Sequence, residues 1–257
     1  MDTFFMCLAA FLASGLTLFS GFGLGTLLMP VVALFLPVET AIAVTALVHL
    51  LNNLAKLGLV GRFAKRTFVF RFGVPALFAS MGGALVLQSL SDLSPLARYE
   101  WLGRQVEILP VKTVIAALLI AFLYVEARAP EKQWRLDDRY LPLGGLLSGF
   151  FGGLSGHQGA FRSAYLVNAG LTKEQFLGTS VVIACLVDLA RLAVYGTSSS
   201  LTTAQTSPLL LLAVTGAALA GTITATRIIH VVTMKAIRAL ISMLLIVIAL
   251  GLGTGIF

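Results

Sequence analysis

Charge is scarce in this sequence. Only 11% of its 257 residues are Asp, Glu, Lys or Arg, whereas 58% are hydrophobic. A soluble domain carries about 25% charged and 45–50% apolar residues. The composition therefore excludes an ordinary soluble globule, which needs a polar coat, and it excludes a disordered chain as well. Acids are the rarer sign: 11 Asp and Glu stand against 18 Lys and Arg, for a formal net charge of +7. In a bilayer protein that excess belongs to cytoplasmic loops rather than to a nucleic-acid partner. Cysteine is nearly absent. Cys7 and Cys185 lie in apolar runs without CxxC or Cys/His spacing, so neither a metal site nor a disulfide framework is expected. No P-loop, Rossmann fingerprint or zincin helix is present, and no cofactor is expected. A basic n-region is missing too. Asp2 stands where a cleavable signal would be positive, so the first segment is expected to be structure.

What is present is apolar sequence in long runs. They read as 3–36, 39–60, 71–90, 110–126, 140–169, 173–195, 207–228 and 236–256. A spanning helix takes about 20 apolar residues, so these runs predict an all-α polytopic membrane protein of about eight hydrophobic segments. No run alternates with period two, which argues against a barrel. Two runs, 3–36 and 140–169, are too long. As straight helices they would measure about 50 and 45 Å, against a hydrocarbon core of about 30 Å. Each is also interrupted, the first by Ser20-Gly21-Phe22-Gly23-Leu24-Gly25 and Pro30, the second by the glycine-rich stretch Gly149–Gly159. Glycine weakens a helix and proline breaks it, so both are expected to be broken or re-entrant.

The same two runs open an internal repeat. Shifted by 135 residues, 20–57 falls on 155–192 without a gap and with nine identities in 38 positions. Ser20-Gly21 meets Ser155-Gly156, Glu39 meets Glu174, Thr45 meets Ser180, and Asn53-Leu54-Ala55-Lys56-Leu57 meets Asp188-Leu189-Ala190-Arg191-Leu192. Duplication of this kind is common in secondary transporters. The chain divides into a first transmembrane repeat, 1–127, a cytoplasmic linker, 128–139, and a second repeat, 140–257.

Loop charge selects the topology. If both long runs cross once, the loop Lys and Arg residues split eight against seven and orient nothing. If both re-enter, one side collects twelve: Arg62, Lys65, Arg66, Arg71, Arg128, Lys132, Arg135, Arg139, Lys173, Arg227, Lys235 and Arg238. The other side keeps three, Arg98, Arg104 and Lys112. The positive-inside rule favours the second arrangement. It leaves three crossings per half, so the halves are inverted and both termini lie outside.

Three basic residues remain within the apolar runs, Lys56, Arg162 and Arg191, against one acid at comparable depth, Asp188. A charge at a helix centre costs about 3 kcal/mol or more in lipid, which makes each a functional suspect. The excess is positive, and an anion is its simplest compensation. Arg162 follows the break His157-Gln158-Gly159-Ala160-Phe161, where free backbone N–H groups and a half-helix N-terminus favour negative charge. Its planar fork suits a sulfonate or carboxylate; alternatively it caps carbonyls of the broken helix. Gln158, His157, Gly159, Ser163 and Tyr165 are candidates for the same ligand shell, with Gly23 and Gly25 from the first half.

His49, Asn52, Asn53 and Lys56 follow one another at helical spacing on a single face. Asp188 and Arg191 are one turn apart and can pair. These six are candidates for the path, for gating or for proton coupling. Snorkelling is the plainer account of Lys56 and Arg191, and bridging between helices that of Asn53. Histidine titrates near neutrality, so His49 and His157 are candidates for carrying protons. One enzyme reading competes. Gly153-Leu154-Ser155-Gly156 resembles the GxSG nucleophile motif of rhomboid intramembrane proteases, with His49, His157 or His230 as base. Duplication already accounts for the Ser-Gly pair, so no catalytic residue is assigned.

The repeat and its glycine-rich openings resemble the TauE/SafE sulfite-exporter family, whose halves each open with G-x-G-G-G and a proline a few residues later. The first half here reads Gly21-Phe22-Gly23-Leu24-Gly25-Thr26-Leu27-Leu28-Met29-Pro30, and the span Ala41–Lys56 is similar to the family's next helix. The second reads Gly156-His157-Gln158-Gly159-Ala160-Phe161-Arg162-Ser163-Ala164-Tyr165. It departs where His157-Gln158 and Arg162-Ser163 replace glycines and aliphatics, and where Tyr165 replaces proline. The resemblance implies export of sulfite, sulfoacetate or a related small anion across the inner membrane. The expected partners are that anion and the bilayer, with a homodimer as an option and no nucleic acid. A passive anion channel is the alternative within transport.

Overall fold

The computed structural model describes residues 2–20, 24–101, 103–128, 138–166, 169–197, 207–228 and 234–256. The over-long first run carries α1 (Asp2–Ser20) and α2 (Leu24–Val32), with 21–23 outside the described residues, and α3 (Val38–Val60) follows. A short α4 (Arg66–Phe68) continues through a π-helical stretch, Val69–Gly73, into α5 (Val74–Ser91). Strands β1 (Ala97–Trp101) and β2 (Arg104–Ile108) come next, then α6 (Pro110–Arg128). The second long run is broken into α7 (Leu141–Ser155) and α8 (Gln158–Leu166). Helices α9 (Lys173–Tyr195), α10 (Pro208–Ile228) and α11 (Met234–Thr254) complete the chain.

Three of these helical stretches are long and apolar enough to cross a bilayer: Val38–Phe63, Arg66–Ser91 and Lys173–Tyr195. Shorter apolar stretches lie at Thr3–Gly15, Pro110–Tyr124, Leu141–Ser155, Pro208–Thr224 and Ser242–Thr254. Large apolar side chains such as Phe4, Phe70, Phe78, Leu209, Leu212 and Met243 are largely exposed on the bundle surface. In lipid that is their favoured environment, and helices satisfy their own backbone there.

The all-α expectation needs one correction. The stretch read as a plain polar break, 88–110, contains an antiparallel hairpin with Trp101 opposite Arg104 and Ala97 opposite Ile108. Gly103 takes φ +75° at its turn, a left-handed conformation that glycine adopts without strain. Tyr99, Trp101, Val106 and Ile108 do alternate with polar neighbours, over runs too short to stand out. Tyr99 Oη donates to Thr254 O at 2.6 Å, so the hairpin lies over the last turn of α11.

The element boundaries follow the 135-residue shift. Moved by that amount, α3 lands on α9 end for end, α2 lands on α8 within a residue, and Ser20 at the close of α1 lands on Ser155 at the close of α7. The helices also exchange partners between halves, α1 packing on α10 and α7 on α5. Glycine permits both approaches. A methyl group on Gly149 would stand 2.0 Å from Ala76 O, and one on Gly221 would stand 2.0 Å from Phe11 O. Backbones this close gain dispersion along their whole contact, the usual source of helix association in lipid.

Helix α9 runs antiparallel to α3. Its start meets the end of α3, where Lys65 N donates to Thr179 Oγ1 at 2.9 Å and Gly178 lies against Val60 O. Asp188, further along α9, meets His49, further back on α3. The start of α9 is well specified by a capping box between Thr172 and Gln175.

Candidate functional site

The site is built around the break between α7 and α8. Gly156 ends α7 in the left-handed region at φ +81°, where a side chain would be strained. Its N–H returns to Gly152 O at 3.0 Å, and His157 N–H reaches back to Phe151 O at 3.3 Å. The chain then reverses. Ser148 Oγ donates to Gln158 O at 2.8 Å, and a methyl on Gly144 would meet the Tyr165 ring at 2.5 Å. Thus α8 folds back along α7, and the run is a helical hairpin. From the other half, Gly25 abuts this turn: a methyl there would lie 2.8 Å from Gly156 O. Gly23 lies outside the described residues.

The last carbonyls of α7 need partners. Arg191 Nη1 donates to Gly152 O at 3.0 Å, and Tyr195 Oη donates to Gly153 O. A cation at the negative end of a helix is favoured. Arg191 is fully buried, so snorkelling does not describe it. Tyr195 carried no signal of its own, although it continues the helix face of Asp188 and Arg191.

Asp188 is the hub. Its Oδ1 accepts from Arg191 Nη2 at 2.7 Å, from Arg191 Nε at 3.0 Å and from Gln158 Nε2 at 2.8 Å. Its Oδ2 faces His49 Nδ1 at 2.6 Å. An ionised carboxylate only accepts, so Nδ1 carries the proton. Asn53 Nδ2 lies 3.1 Å from His49 Nδ1 and 3.3 Å from Nε2, and of the two only Nε2 can accept from it. Four donors on one carboxylate make the buried pair with Arg191 tolerable, because extra hydrogen bonds offset desolvation.

Arg162 is different. It is buried at 8% exposure, and its one hydrogen bond among the described residues runs from Nη1 to the neutral Gln158 Oε1 at 3.1 Å. Its Nε is buried without a partner. Both oxygens of Asp188 are committed elsewhere, and no described carboxylate forms a salt bridge with Arg162. Two buried guanidinium groups, Arg162 and Arg191, thus share the charge of Asp188, and a buried cation in excess of its counter-charge is the costly case.

The remaining candidates divide. Gly159 is buried beside Gln158. Lys56 is half-buried at the same end of α3 and α9, without an ion pair among the described residues. Asn52 is drawn away: its Nδ2 donates to Ser14 Oγ at 3.4 Å, and its Oδ1 accepts from Thr222 Oγ1 at 3.4 Å. It bridges α1, α3 and α10. Tyr165 packs on Phe72, with ring centroids 6.3 Å apart, rather than completing a ligand shell. Ser163 is half-buried and has a partner of its own. His157 stacks on Phe122 at 4.9 Å, within an aromatic group shared with Phe151 and Phe161 that the sequence did not suggest.

Ser155 and His157 do approach, Oγ to Nδ1 at 2.9 Å. Ser155 Oγ donates to Phe151 O at 3.1 Å, so it accepts from His157 Nδ1–H. A nucleophile and its base need the reverse polarity. His230 lies outside the described residues.

Comparison with known proteins gives one assignment. No curated protein and no solved structure matches the chain. Residues 6–252 match the family described as sulfite exporter TauE/SafE. That span takes in the α7–α8 break, the Asp188 hub and Arg162, and on it this multi-pass membrane chain belongs to the sulfite exporter TauE/SafE family.

Proposed function

We propose that this protein is a secondary transporter of the inner membrane that exports a small oxyanion, such as sulfite, sulfoacetate or another organosulfonate or carboxylate, by alternating access. The observation that carries this reading is Arg162, a buried guanidinium whose one hydrogen-bond partner among the described residues is a neutral amide. An anion seated there supplies the missing counter-charge and an acceptor for Nε. Gln158 has a double part. Its amide N–H holds Asp188 and its carbonyl oxygen steadies Arg162, so the Arg191–Asp188 pair forms a fixed wall behind the site. His49 and Asn53 complete that wall.

The α7–α8 hairpin and the antiparallel α3 and α9 support two halves of inverted topology, with both termini outside and the twelve-residue basic side in the cytoplasm. Rocking of one half against the other then exposes Arg162 to each face in turn. The membrane potential already drives export: a cytoplasm about 100 mV negative contributes about 2.3 kcal/mol per charge moved outward. Proton coupling is therefore optional for efflux.

The test is sulfite flux in proteoliposomes with the potential clamped. Arg162→Ala is expected to abolish saturable flux while the protein remains folded, and undiminished flux in that variant ends the reading. Trans-side sulfite is expected to accelerate exchange. Flux indifferent to trans substrate and linear in concentration would identify a channel instead.

A further inference from the structure

A buried serine or threonine in a helix has an easy partner in the carbonyl four residues back. Ser155 takes it here, as do the less buried Ser91, Thr113, Thr222 and Thr254. Thr45, Ser180 and Thr215 do not. They are 1%, 9% and 6% exposed, and among the described residues each hydroxyl is buried with no hydrogen-bond partner. Such a hydroxyl has forfeited its hydration for nothing in return. Thr215 stands apart on α10, whereas the other two are repeat mates: each is the eighth residue of its helix, α3 for Thr45 and α9 for Ser180.

Because α3 and α9 are antiparallel, the two hydroxyls lie toward opposite ends of the pair. Ser180 follows Thr179, which holds Lys65 N at the basic-loop end. Helix α8 leads toward the same end: it starts at Gln158, which meets Asp188, and folds back along α7, so that Leu166 joins the apolar cluster of Leu141 at the start of α7. Arg162 lies between Gln158 and Leu166 on α8. Thr45 is placed at the other end, its Cγ2 3.9 Å from a methyl built on Gly25, where that glycine abuts Gly156.

We propose that Ser180 and Thr45 are paired oxyanion stations on the transport path, each donating one hydrogen bond to the same permeating sulfite-like anion. Ser180 acts with Arg162 while the site is open on the basic-loop face, and Thr45 acts while it is open on the opposite face. This rests on the reading of Arg162 as the anion's counter-charge. An oxyanion oxygen is the acceptor that both hydroxyls lack, and a hydrogen bond to a charged group is among the stronger ones.

The test uses proteoliposomes holding the protein in one orientation and radiolabelled sulfite, varied on one face at a time. The variants are Ser180→Ala, Thr45→Val and the hydroxyl-keeping Ser180→Thr and Thr45→Ser. Removing a hydroxyl that has no protein partner breaks no contact of the fold. Ser180→Ala is expected to raise half-saturating sulfite about tenfold on the basic-loop face and less than about twofold on the other. Thr45→Val is expected to do the reverse, and the hydroxyl-keeping variants stay near wild type. No change on either face, or an equal change on both, overturns the proposal. Arg162→Ala separates the two ideas. Flux surviving that change defeats the Arg162 reading itself. Flux lost there, with the hydroxyl variants unaltered, removes only the stations.

Discussion

At the scale of the residue, Asp188 and Arg162 divide the work of charge. Asp188 takes donors from α3, α8 and α9. Removing its charge leaves Arg191 buried and unpaired. Asp188→Asn is therefore expected to destabilise the protein by about 3–5 kcal/mol, read as a fall in thermal unfolding temperature in detergent. Gln158→Glu should act differently. It gives Arg162 a carboxylate of its own, so sulfite affinity is expected to fall more than about tenfold by isothermal titration; it also sets a carboxylate oxygen against Asp188 Oδ1 where the amide N–H donated, so the unfolding temperature is expected to fall as well. An unaltered affinity would mean that Arg162 does not hold the anion. The suspects were legible in the sequence, because few ionisable residues lie in the apolar runs. So was the Asp188–Arg191 pair, from its spacing of one turn. The partners from other helices were not, since His49 and Asp188 are 139 positions apart. Asn52 and Asn53 are neighbours in sequence, yet one turns to Ser14 and Thr222 and the other to His49.

At the scale of the element, glycine decides where helices touch. Gly149 of α7 leaves no room for a methyl against Ala76 O, whereas nothing stands within 4 Å of one built on Gly82 of α5. Gly149→Val should force α7 off α5 and abolish the monodisperse folded peak in size-exclusion chromatography. Gly82→Ala is expected to stabilise by about 0.5–1 kcal/mol, the propensity gain of alanine in a helix interior. A loss of thermal stability in Gly82→Ala would refute that account. The break at 155–158 was readable from excess length together with glycine, since a straight helix of that length exceeds the bilayer's thickness; its counterpart in the first run falls on 21–23, outside the described residues. The β1–β2 hairpin was not, because strands of five residues carry little periodic signal beside helices of twenty.

At the scale of the molecule, the basic loops make a topology that can be tested. Tags at both termini should be cleaved by protease added to intact spheroplasts, while a tag between 128 and 139 should be protected until lysis. Cytoplasmic termini would reverse the arrangement, and with it the face assigned to Ser180. The contact between Gly25 and Gly156 bears on speed rather than on affinity. Two backbones from different halves meet there with no side chain between them. In the rocking motion proposed for transport, a surface of that kind would slide without rotamer exchange and serve as a low-friction bearing between the halves. A single methyl group would roughen it. Gly25→Ala should slow the conformational cycle and hence the maximal rate, while sulfite binding at equilibrium stays as it was.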